Sequence, residues 1–182
     1  MAAQPRGISR RITVVAVALA SFFLVNTMAF GRDREHEIKC GIIYNLAKYC
    51  DWESLRQPSG RFVIGVYRTK AFDLDIPSFN GRMLHGRTIS VVQLKSEAEI
   101  ANCQIAIIGD VGSDAIRRYN KLCRGSGTML VGESDNFAEQ GGMVGFLVRD
   151  GNVRFQVNLQ AAQSVKVAVS SKLLILADQV FR

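Results

Sequence analysis

The sequence is short of what most catalytic sites are built from. It has two histidines, His36 and His85, and neither lies near a pair of cysteines. There is no G-x-S-x-G, no Walker loop and no H-E-x-x-H, so the commonest hydrolase, nucleotide and zinc-protease signatures are excluded. No C-x-x-C occurs, which leaves a zinc site poorly supported. Three prolines and 16 glycines exclude collagen-like and low-complexity sequence. There is no acidic residue before Asp33, and no second apolar run of spanning length after residue 31. No repeat of 20 to 50 residues is present.

What is present begins with an export signal. Residues 12 to 25, ITVVAVALASFFLV, are a 14-residue apolar run preceded by Arg6, Arg10 and Arg11. Thr27, Met28 and Ala29 follow, with small residues at the two positions that a signal peptidase reads. This is the pattern of a cleaved secretory signal over residues 1–29. An uncleaved anchor is the alternative, because residues 12 to 31 are uncharged and just reach spanning length. No cysteine directly follows the run, which argues against a lipid anchor. The mature domain, residues 30–182, is long enough to bury its own core. Of the whole chain's net charge of +7, only +4 remains once the three leading arginines are removed. That is a solubilising charge and no sign of nucleic-acid binding.

The mature chain reads as one α/β domain: a mixed β-sheet flanked by helices, with a C-terminal antiparallel hairpin and a terminal helix. Ile38, Ile42, Leu46 and Tyr49 share a helical face over residues 35 to 50. Asp51 and Trp52 are expected to open a loop. Strands are expected over 61 to 67, 88 to 94, 104 to 109 and 128 to 132, with helical segments over 95 to 102 and 114 to 123, implying βαβ units. Asp150-Gly151 is a hairpin turn that pairs Val148 with Val153, Phe146 with Phe155 and Val144 with Val157, all on one face. A short helix is expected over 158 to 164. Ser170 is placed to cap a last helix running through Phe181.

Few residues are candidates for chemistry. His85 reads as a solvated loop residue, and Arg124-Gly125-Ser126-Gly127 as a plain turn. Strand ends of an open α/β sheet form a rim where ligands bind. Arg68, Asp110, Ser113, Glu133 and Asp135 are the candidates there; no metal site and no cofactor is expected. Leu173, Leu174, Ile175 and Leu176 give the last helix more apolar surface than one sheet-facing stripe requires, which makes this helix, or the exposed side of the hairpin, a candidate partner surface. Four cysteines in an exported chain favour disulfides over metal. Cys103 precedes a strand and Cys123 ends the returning helix. Six strand residues span about 20 Å and ten helix residues about 15 Å, so the two cysteines reach the same sheet edge and are the expected bridge. Cys40 and Cys50 are about 15 Å apart along one helix and cannot pair there. Four buried free thiols are the alternative.

Four segments taken in order resemble the YfiR family: IIYNLAKYCDW (42 to 52), NCQIAIIG (102 to 109), FAEQGGMVGFLVRDGNVRFQVNLQAA (137 to 162) and SSKLLILA (170 to 177). The hairpin and last helix are the specific part. The chain departs from the family pattern at Glu53, across Ala71 to Gly86, and in a hairpin that lacks cysteine; Cys103 alone sits at a family-like cysteine position. The resemblance implies a small exported, non-enzymatic α/β protein of the periplasm. It implies binding to the periplasmic part of an inner-membrane diguanylate cyclase, lowering cyclic di-GMP and biofilm formation, with release by an outer-membrane lipoprotein. A homodimer is compatible with the sequence, which sets no oligomeric state. The competing function class is a periplasmic small-molecule sensor or minor enzyme that uses the strand-end rim.

Overall fold

A computed structural model describes residues 34–52, 60–69 and 76–182. The signal-peptide expectation for residues 1–29 lies outside them. The residues from His36 to Arg182 form one compact unit.

Helix α1 covers residues 34–49. Its buried side is Cys40, Ile43, Leu46 and Ala47, continued by Cys50. The expected stripe is therefore rotated: Ile38 is 40% exposed and Tyr49 37% exposed. The cysteines, which pack as small apolar groups, take the core side instead. Lys39 also lies on that side and is 6% exposed.

The expected loop at Asp51 and Trp52 is a strand. β1 (Cys50–Trp52) pairs antiparallel with β9 (Val167–Val169), Cys50 opposite Val169 and Trp52 opposite Val167. Trp52 is 1% exposed and stands edge-on to Phe62 at 5.3 Å. Three residues are too few to show an alternating pattern, so no strand signal stood out.

The main sheet is built from β2 (Phe62–Tyr67), β3 (Met83–Leu84), β4 (Arg87–Gln93), β5 (Ile105–Ile108), β6 (Met129–Gly132), β7 (Val144–Arg149), β8 (Asn152–Asn158) and β10 (Gln179–Phe181). Its order is β10-β8-β7-β6-β5-β2-β4-β3. Strands β4, β2, β5, β6 and β7 run parallel, while β8 and β3 are antiparallel to their neighbours β7 and β4. Every residue of β5 and β6 is buried, as expected of strands covered on both faces. The connections are a 3-10 turn at Glu97–Asn102, helix α2 (Ser113–Cys123) and helix α3 (Leu159–Ser164).

The hairpin has the expected register, Val144 to Val157, Phe146 to Phe155 and Val148 to Val153. The core reaches only two of the three pairs, because Val148 at the tip is 52% exposed.

The last helix is shorter than expected. α4 spans Ser171–Leu176, and Gln179–Phe181 forms edge strand β10, parallel to β8. The Asp178 N–H donates to the Phe155 carbonyl at 2.8 Å and starts this pairing. Val180 and Phe181 fit a helical period and an edge strand equally well; the open side of β8 decides between them. Ser170 stands at the N-cap with extended backbone, but its hydroxyl makes no cap bond.

Candidate partner face and strand-end rim

The strand-end rim exists as a place. Strand order reverses between β2 and β5; Arg68 directly follows β2, Asp110 comes after Gly109 at the end of β5, and Glu133 follows β6. Among the described residues, one charged group of the rim is held in an ion pair within the chain. Glu133 accepts from Lys39 Nζ at 2.5 Å, which ties α1 to the end of β6. Arg117 reaches both the Ser113 hydroxyl, at 3.4 Å, and Asp114. Glu97, whose carboxyl lies below the usual range chiefly because Arg118 donates to it, also feels the charge of Arg68. Asp110 and Asp135 are exposed. The Ser134 hydroxyl, buried between them in sequence, accepts from the Val111 N–H at 2.8 Å and joins two rim loops.

Local structure elsewhere follows simple rules. His85, expected as a solvated loop residue, has Nε2 2.8 Å from the Ala47 carbonyl and its ring 6.4 Å from those of Trp52 and Phe62. Gly125 and Gly127 have φ of +72° and +80°, so the glycine-rich stretch is a turn that needs left-handed backbone.

All four cysteines are buried thiols, and the expected Cys103–Cys123 bridge is not formed. The two nonetheless meet at one sheet edge. Thr128, fully buried, donates to the Cys103 carbonyl at 2.7 Å and hydrogen-bonds the Cys123 side chain, and Cys103 bears electrostatically on the Cys123 thiol. Burial, above all, pushes Cys50 and Cys123 up to about 12 and Cys103 to about 11. These thiols are protonated and unreactive at neutral pH.

The apolar face of α4 divides. Leu173 is 2% exposed and belongs to the core, and Leu174 is partly buried. Ile175 is 82% and Leu176 68% exposed. Leu174 also lines a groove of about 490 Å³. One wall is Leu159, Ala162, Gln163 and Lys166, residues at helical spacing on and just after α3. Opposite it lie β9 and Asp51.

The sequence reading missed the charged flank of this face. Lys172 Nζ lies 6.0 Å, and Lys48 Nζ 5.1 Å, from the Tyr49 ring centroid. Lys172, Ile175 and Leu176 share one side of α4, at i, i+3 and i+4. No local motif marks this grouping, because α1 and α4 are over 120 residues apart.

Among the described residues, no helix is long and apolar enough to cross a membrane, and no cluster of His, Cys, Asp and Glu could hold a metal ion. No curated protein matches the chain. A family model described as YfiR/HmsC-like matches residues 36–178, from the start of α1 nearly to β10. That span takes in the whole sheet except its last edge strand, together with the cysteine edge and the α4 face, so the chain belongs to the YfiR/HmsC-like family.

Proposed function

We propose that this protein is a periplasmic repressor that binds the periplasmic part of an inner-membrane diguanylate cyclase and lowers cyclic di-GMP, and with it biofilm formation. Family membership supports the regulatory class and the link to a diguanylate cyclase. The observation that carries the binding role is α4. Ile175 and Leu176 stand open to solvent beside an apolar groove, on a helix whose other side is anchored by Leu173. Two adjacent exposed aliphatic side chains next to a concavity are what the buried centre of a protein interface is made from.

Release by an outer-membrane lipoprotein belongs to the same reading. The other reading, a small-molecule sensor using Arg68, Asp110, Ser113, Glu133 and Asp135, has weaker support, because Lys39 and Arg117 already engage Glu133 and Ser113.

Deleting the gene should raise cyclic di-GMP and surface attachment. Restoring it with Ile175→Glu and Leu176→Glu together should leave cyclic di-GMP high while the protein accumulates and melts as wild type does. If the doubly substituted protein still represses, α4 is not the partner face. If deletion leaves cyclic di-GMP unchanged with the cyclase expressed, the repressor reading fails.

A further inference from the structure

The pair of lysines over Tyr49 is electrostatically unusual. Two ammonium groups stand 5.1 Å and 6.0 Å from one ring centroid. Each gains from the ring's negative face, but each also repels the other. Among the described residues, neither Lys48 nor Lys172 is in an ion pair with a carboxylate. Tyr49 is itself partly exposed and holds the end of α1 beside the start of α4. A positive, aromatic corner therefore borders Ile175 and Leu176, while Leu174, two residues on from Lys172, turns to the other side of α4, where it lines the groove. Among the described residues, Asp51 is the acidic residue that lines the groove, where Lys166 and Gln163 line the α3 wall.

From this arrangement we infer that the cyclase's periplasmic part docks through an acidic amphipathic segment. Its apolar side chains cover Ile175 and Leu176, and its carboxylates face Lys48 and Lys172. This rests on the repressor reading and deepens it by giving the partner's chemistry. A helix laid into a groove uses this division of labour, with apolar anchors at its centre and charge at its rim. The rim charges set orientation and association rate more than they set total affinity. An anionic lipid surface would also satisfy two lysines; membership of a family tied to a diguanylate cyclase favours a protein segment.

The test measures binding of the purified mature protein to the periplasmic part of the cyclase that it represses, at low and high salt. Wild type should bind more weakly as salt rises. Lys48→Glu with Lys172→Glu should slow association about tenfold and remove most of the salt dependence. Lys48→Arg with Lys172→Arg should keep both. Thermal unfolding of each variant checks folding, and these exposed residues should change it little. If the glutamate pair binds as wild type does, the acidic-segment inference is overturned while the repressor reading stands. If wild type does not bind the cyclase part at all, the repressor reading fails and takes the inference with it. Vesicles containing about one third phosphatidylglycerol form the other arm. Should wild type sediment with them, lose that on the glutamate substitutions and keep its cyclase affinity, the lysines serve lipid and the inference is overturned.

Discussion

At the residue scale, burial decides chemistry. Cys50, Cys103 and Cys123 hold their protons far above the ordinary value of 9.0, because a thiolate in the core would lose its hydration. An unfolded thiol ionises near 9.0, whereas the folded ones hold on to about 11 or 12. Across that window the native state binds more protons than the unfolded one, so stability must fall as pH rises. Denaturant unfolding should show constant stability from this source below pH 9 and a steady decline above it. Cys50→Ala should shallow that decline, and an unchanged slope would show that Cys50 is not buried as described. Burial also sets the cost of breaking the Lys39–Glu133 ion pair. Lys39 has a side chain 7% exposed, so Glu133→Gln takes a carboxylate away from a buried ammonium. Such breaks cost on the order of 3 kcal/mol, and a loss under about 1 kcal/mol by denaturant titration would mean that water reaches the pair.

At the element scale, two helix starts make a controlled comparison. Asn158 caps α3: its side-chain oxygen accepts from the Ala161 N–H at 2.8 Å, and its amide donates to the Ala138 carbonyl at 2.8 Å. Ser170 holds the equivalent place before α4 without a cap bond, and its hydroxyl is buried without a partner among the described residues. Asn158→Ala should therefore cost about 1 to 2 kcal/mol, and Ser170→Ala should be close to neutral or mildly stabilising. Equal effects in thermal melts would refute the assignment. The same elements show what sequence can and cannot carry. The hairpin register was legible because turn chemistry and alternation agree at Asp150-Gly151. β5 and β6 were legible as unbroken apolar runs. The short strands β1, β9 and β10 were not, because three residues carry no period, and their pairing depends on partners far away in the chain. The candidate partner face was half legible: the surplus of leucine and isoleucine on α4 was visible, but the lysines that flank it come together only through the fold.

At the scale of the whole molecule, the sheet brings Cys103 and Cys123 to one edge, and the state of this pair depends on the compartment in which the chain folds. The strand out and helix back return the chain to its starting level, as their lengths require. Gly65 helps to make room: a methyl group there would lie 2.5 Å from the Cys103 sulfur. Once the protein has folded with both thiols reduced, their protonation keeps them poor nucleophiles, so the native protein should resist air oxidation at neutral pH. A chain that folds in an oxidising compartment meets disulfide donors while its thiols are still exposed. There the pair can give up two electrons and two protons to a donor disulfide before the core closes. The exported protein should thus carry a Cys103–Cys123 bridge that reduced, refolded protein does not regain. Closing a loop of about 20 residues should add about 3 kcal/mol by restricting the unfolded chain, readable as a higher denaturation midpoint that reductant abolishes. Non-reducing peptide mapping of exported protein decides it. A bridge from Cys103 to Cys40 or Cys50, or four free thiols, would refute the pairing.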